Sequence, residues 1–161
     1  MKPLLSPLIL LDFSILNNNF QFIPPPENQQ IDQDFFSDYE IDLDFAFFTE
    51  EDTKVFVKLS INQLENPKAG YSIFAEGVAF FKLNENEKLS EDDKNSLLQF
   101  SAFSITLNSL RGFITALTSV APLGKYIVPS IDVNDAFRQK SEKSKEKVTK
   151  PKPEPKSKSK S

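Results

Sequence analysis

Between Asp38 and Phe48 apolar and polar side chains alternate without a slip. Tyr39, Ile41, Leu43, Phe45 and Phe47 share one parity, and Asp38, Glu40, Asp42 and Asp44 share the other. A period of two puts the two sets on opposite faces of a strand, so the stretch reads as a half-buried antiparallel strand. Thr49 to Thr53 makes a turn. Lys54 to Leu64 then repeats the pattern, with Val55, Val57, Leu59 and Ile61 on one face and Lys54, Phe56, Lys58 and Ser60 on the other. Zipping the two strands around Glu51 sets Ile41 against Ile61, Leu43 against Leu59 and Phe45 against Val57. On the opposite face it sets Asp44 against Lys58. One register satisfies both faces, and a slip of one residue would invert both.

The flanking segments are less regular. Phe13 to Ile23 is a further strand in which Phe20 and Phe22 alternate with polar residues. Asn17-Asn18-Asn19 breaks its phase, as a bulge does, and Pro24-Pro25-Pro26 ends it. Residues 27–37 are polar and acidic and read as a loop. Glu65 to Gly70 forms a second turn. Tyr71 to Leu83 is apolar on both parities, which predicts a strand covered on both faces. Its small residues Ala75, Gly77 and Ala79 suit the close approach of a helix or another subunit.

After residue 84 the period changes. Ser90 with Asp93 forms a capping-box-like start, and Glu91 and Asp92 favour a helix N-terminus. Leu97, Leu98 and Phe100 supply the apolar stripe of a first helix. Leu110, Phe113, Ile114, Leu117 and Ala121 supply that of a second, over about 104–121, stopped by Pro122 and Gly124. A break near 101–104 is expected, because one uninterrupted helix would be unusually long. Strands followed by helices give an α+β fold: a four-stranded antiparallel sheet with two C-terminal helices on one face. The domain covers 1–137. From Arg138 to Ser161 no apolar period remains, and this lysine-rich tail is expected to be disordered.

Charge sharpens that division. Residues 138–161 hold ten Lys/Arg against three Glu, a net +7. Residues 1–137 hold nine Lys/Arg against twenty Asp/Glu, a net −11. The overall −4 describes neither part. All 16 Phe lie between Phe13 and Phe137, which reads as a Phe-filled core, or as a core with some Phe left over to form apolar grooves or an oligomer interface. There is no His and no Cys. This rules out Ser-His-Asp and Cys-His catalysis, disulfides and thiolate metal sites. It also fits a reducing cytoplasm. Met1 to Leu11 is apolar, but Pro3 and Pro7 interrupt it and it is too short to span a membrane. It is expected to pack on the domain.

The order of four antiparallel strands and then helices resembles the bacterial export chaperone SecB and its SecB-like relatives. Leu110-Arg111-Gly112-Phe113-Ile114-Thr115 resembles the family's second-helix segment. Val128-Pro129-Ser130-Ile131-Asp132-Val133-Asn134-Asp135-Ala136-Phe137 resembles its closing motif. The similarity spans about 12–137. The resemblance implies a homotetramer, a dimer of dimers, that binds unfolded or nascent polypeptides along apolar grooves without ATP. It also implies a flat acidic sheet face offered to a SecA-like translocase motor, or service to a toxin–antitoxin pair. Departures are the lysine-rich tail, where family members often continue into a short helix, and acidic motor contacts that cannot be placed one by one.

The expected client-binding residues are Phe35, Phe36, Phe48, Phe56 and Tyr71. Phe48 and Phe56 stand on the polar parity of their strands, where a plain core would not put them; a dimer interface would bury them equally well. Asp38, Glu40, Asp42 and Asp44 are the expected docking face for a basic partner, or a solvated strand face partly neutralised by Lys54 and Lys58. No catalytic residue, metal or cofactor is expected. Asp42 and Asp44, about 7 Å apart by strand rise, lie on an open face rather than in a closed pocket. Asp132 and Asp135 read as turn or capping residues. The alternative function is binding of nucleic acid or an acidic surface through the basic tail, which has no aromatic residue to stack on bases.

Overall fold

The computed structural model describes residues 1–32, 34–84 and 88–149, with side chains described to Lys145. The chain divides into two units, Met1–Ser130 and Ile131–Ser161. The first contains strands β1 (Leu8–Ile23), β2 (Ile41–Thr49), β3 (Thr53–Ile61) and β4 (Gly70–Leu83). Helix α1 (Glu91–Ser96) comes next, then a π-helical turn (Leu97–Ser101) and helix α2 (Ala102–Thr118). The second contains helix α3 (Val133–Thr149). The fold is α+β, with one antiparallel sheet in the order β1-β4-β3-β2 and helices on one face.

The β2–β3 hairpin has the expected register at every position, from Ile41↔Ile61 through Asp44↔Lys58 to Thr49↔Thr53. Inward residues of β3 (Val55, Val57, Leu59, Ile61) and of β4 (Ile73, Ala75, Ala79, Phe81) are fully buried. Helix α2 covers this face with Phe103, Leu107, Leu110 and Ile114. Gly77 makes room for the Phe13 ring of β1. A Cβ there would stand 2.9 Å from that ring, which would have to shift, and 3.4 Å from Leu110, an ordinary contact.

Strand β1 begins at Leu8, earlier than Phe13, because two bulges carry it across phase breaks. The register skips Leu11, between Leu10↔Phe81 and Asp12↔Phe80, and skips Leu16, between Ile15↔Gly77 and Asn17↔Glu76. The second bulge lies just ahead of the Asn run that signals it. Each bulge inverts the parity downstream, which hides the strand from a period-two reading. The expected packing of Met1 to Leu11 is corrected. Leu8 is buried, but Met1, Leu4 and Leu5 are exposed, because Pro3 and Pro7 keep that stretch out of the ladder.

The expected break between the helices is also corrected. Residues 91–118 run on helically, and the five-residue π turn takes up the change of phase. At the start of α1, Ser90 Oγ accepts from Asp93 N–H at 3.1 Å, the anticipated cap. Beyond α2 the chain is strapped down. Arg111 donates from Nε and Nη2 to the Val128 carbonyl (3.1 and 2.7 Å), joining the two segments that carried the family resemblance. Helix α3 starts on Asp132, whose Oδ1 accepts from Asp135 N–H (3.1 Å). It extends past Phe137 without an apolar stripe, on pairs such as Arg138 with Asp135 and Glu142. The rest of the expected tail, 150–161, lies outside the described residues.

Candidate functional site

The 24–40 connection between β1 and β2 returns a pair of aromatic residues to the sheet, and an aromatic cluster forms there. Phe36 is its hub. It stacks on Tyr71 at 5.3 Å and 22° between planes. It meets Phe35, Tyr39 and Tyr126 at 5.2, 5.5 and 5.5 Å with tilted or edge geometry. Phe20 and Phe22 of β1 flank Tyr71 from the side (5.3 and 6.3 Å). Phe35 and Phe36 are half-buried, whereas Tyr39, Tyr71 and Tyr126 are buried. The cluster is therefore an apolar floor with two phenylalanines on its outer side.

Polar tips hold the floor in place. Tyr39 Oη donates to the Ala69 carbonyl (2.8 Å) and accepts from Tyr71 N–H (2.7 Å). Tyr71 Oη donates to the Gly124 carbonyl (2.9 Å) and accepts from Leu123 N–H (2.8 Å). Asn62, buried with φ 54°, donates to the Lys68 and Tyr71 carbonyls and accepts from Lys68 N–H, each at 2.9 Å. The hydroxyl of Tyr126 is the one buried side-chain polar atom among the described residues without a hydrogen bond. Burial, with the Tyr39 hydroxyl beside it, pushes its pKa up to about 12. Burial also raises those of Tyr39 and Tyr71.

The five expected client residues divide between two places. Phe35, Phe36 and Tyr71 come together in the cluster, but Tyr71 is fully buried beneath Phe36, because its parity faces the core. It anchors the site and presents no surface. Phe48 and Phe56 lie on the other face of the sheet, edge to face at 5.4 Å and 82°, with Phe48 57% exposed. Phe20, Phe22, Tyr39 and Tyr126 are cluster members that the sequence pattern did not single out. For Tyr39 a signal was present: it precedes the carboxylate strand in the inward phase. Tyr126 lies in a stretch with no periodicity, so nothing marked it.

The four carboxylates also divide. Asp42 and Asp44 stand on the sheet face opposite α2, in the phase of Phe48 and Phe56, and Asp44 lies opposite Lys58. Asp38 and Glu40 precede β2 and are exposed. A separate cavity of about 600 Å³ at the far end of the sheet is lined by Thr49, Thr53, Phe81, Leu83 and Lys94 among others. Among the described residues no three Asp or Glu are grouped to hold a metal ion. None of the described helices is long and apolar enough to cross a membrane.

No family model matches the chain, and no curated protein sequence does. Among solved structures it is similar to the SecB-like chaperone Rv1957 of Mycobacterium tuberculosis, in complex with a ChAD peptide from the antitoxin Rv1956 HigA1. Identity is 13%, with 77% of this chain and 90% of that one covered, at a TM-score of 0.55. A protein of unknown function from Streptococcus agalactiae aligns at 9% identity over 77% of this chain and 97% of that one, with a TM-score of 0.37. The first likeness establishes a SecB-like fold.

Proposed function

We propose that the protein is an ATP-independent holdase that binds unfolded or nascent polypeptides on the Phe36-centred cluster. The observation that carries this reading is the cluster itself: a rigid floor of hydrogen-bonded tyrosines under half-buried Phe35 and Phe36. The SecB-like fold supports it, since a chaperone of that fold is seen with an antitoxin peptide bound. Apolar client side chains extend the stack and lose water. Each contributes on the order of 1.5–3 kcal/mol when fully buried. One contact is too weak to hold a client, because a millimolar Kd already requires about 4 kcal/mol. Several sites on one assembly reach useful affinity without sequence specificity. No catalytic step is involved.

The assembly is a dimer of dimers, a homotetramer. Strand β1 supports this as an edge strand with Ile9, Leu10, Leu11 and Leu16 between 43% and 52% exposed, an apolar edge of the kind that marks an interface. The client is either a polypeptide bound for export, passed to a SecA-like motor in the cytoplasm, or a dedicated antitoxin. Light scattering of a chemically unfolded client tests the core of the reading. The protein in molar excess should delay aggregation equally with and without ATP; no delay at any ratio would remove the holdase assignment.

A further inference from the structure

Residues 1–137 hold nine Lys/Arg against twenty Asp/Glu, yet three of the nine cations line a single cavity. This is the cavity of about 600 Å³ bounded by the β2–β3 turn, the end of β4 and the start of the helical run, away from the Phe36 cluster. Lys82, Lys88 and Lys94 share its lining with one carboxylate, Glu51, among the described residues. Lys94 donates to Glu91 at 2.6 Å. Lys82 and Lys88 form no ion pair among the described residues, and both are exposed at the rim. Thr53 also lines the cavity. It is 5% exposed, its hydroxyl is not sealed off as that of Tyr126 is, and no hydrogen bond engages it among the described residues. Beside these groups stand half-buried Leu83, Leu89 and Leu98.

We propose that this cavity binds a small anionic amphiphile, an unbranched carboxylic acid. Its chain lies against Leu83, Leu89 and Leu98, and its carboxylate is held by Lys82 and Lys88, with the Thr53 hydroxyl as a further donor. The volume falls within the range of small-molecule sites, about 300–1,000 Å³. The lysines call for an anion and the leucines for an apolar chain. A nucleotide fits less well. Phe81 is the one aromatic residue of the lining among the described residues, and it is fully buried, so it offers no face to a base. An extended peptide also fits less well, because its backbone N–H and C=O groups would need partners along a wall of leucines. An alkyl chain needs none. The site lies apart from the Phe36 cluster, so the inference goes beyond the holdase reading and does not depend on it.

Titration of the full-length chain with decanoate, read by residue-resolved amide chemical shifts, tests the site. Saturable shifts should centre on Thr53, Leu83, Leu89 and Leu98 and leave Phe36 and Tyr71 unmoved. Octanoate should bind about tenfold more weakly, since each methylene taken out of water is worth about three- to fourfold. The double variant Lys82→Ser with Lys88→Ser should weaken decanoate binding about five- to tenfold at low salt, as expected for two exposed charge contacts. Decanol, with the same chain and no charge, should bind the variant and the unaltered chain alike. Both lysines are exposed, so the urea midpoint of the variant should stay where it was, which separates lost binding from lost folding. Competition by phosphatidylglycerol vesicles assigns the anionic head group to a lipid surface; its absence assigns it to the free acid. Shifts that centre on the Phe36 cluster or on β1, or a double variant that binds decanoate as tightly as the unaltered chain, overturn the proposal.

Discussion

Replacing Gly70 by alanine sets a methyl group against the centre of the aromatic cluster. The residue has φ +107°, and its Cβ would stand 2.1 Å from Tyr39 Oη, 2.9 Å from the Phe35 ring and 3.3 Å from the Phe36 ring. Two costs add. The backbone conformation is unfavourable for a residue with a side chain by about 1–2 kcal/mol. Tyr39 must also move, giving up its bonds to the Ala69 carbonyl and from Tyr71 N–H. Tyr71 N–H lies in a buried site, so its loss costs about 1–3 kcal/mol, and the second bond about 1 kcal/mol. The total is about 4 kcal/mol, a large share of the stability of an ordinary domain. Gly124 provides the control. It too has positive φ (+76°), but nothing lies within 4 Å of its added Cβ, so Gly124→Ala isolates the backbone cost. Urea unfolding of both variants should show a midpoint lowered by about 2 M for Gly70→Ala and by about 0.5–1 M for Gly124→Ala. Equal shifts would mean that the Tyr39 anchor does not hold the cluster together, and the rigid-floor account of the site would be refuted.

Other outcomes rest on the same contacts. Gly112→Ala, inside α2 with open space around the new methyl, should stabilise by about 0.5–1 kcal/mol in the same urea assay. Phe36→Ala should weaken binding of an unfolded client about tenfold, equal to about 1.4 kcal/mol, measured by fluorescence anisotropy of a labelled client. Phe48→Ala, at an exposed position, should leave stability within about 0.5 kcal/mol. The folded state raises the pKa of Tyr126 to about 12 and those of Tyr39 and Tyr71 above the usual tyrosine value of 10. Stability from these groups is then fully present below pH 10 and falls as pH rises toward 12. Urea midpoints measured from pH 8 to pH 11 should decline only above about pH 10; a decline beginning near pH 8 would be inconsistent with buried, protonated tyrosines.

The hairpin was fully legible because two independent patterns, apolar inside and charged outside, demand one register. β1 was only half legible, since bulges at Leu11 and Leu16 reverse its parity twice. The candidate site was legible in part. Phe35-Phe36 stood out as an apolar pair in an acidic loop, but their partners come from β1, β4 and the segment after α2. Only the folded chain brings Phe20 onto Tyr71 and Tyr126 onto Phe36. Phe48 and Phe56 stand apart from that cluster, because the even parity already read from the sequence puts them on the opposite face of the sheet. The helical extension beyond Phe137 has no apolar stripe, so local i,i+3 and i,i+4 charge pairs were its only sequence mark.

The π turn at Leu97–Ser101 works as a rotational spacer. Each residue of an α-helix turns the chain by about 100°, so the extra residue in a π turn resets the angle between the helix before it and the helix after it. Downstream, α2 must keep Phe103, Leu107, Leu110 and Ile114 against the sheet. Upstream, α1 has no buried residue and carries Glu91, Asp92 and Asp93 in its first turn. Deleting one residue from 97–101 would leave the α2 seam intact and swing that acidic turn about a quarter of the way around the helix axis. The direction in which α1 presents its charge is thus set within the π turn, apart from the residues that seat α2 on the sheet.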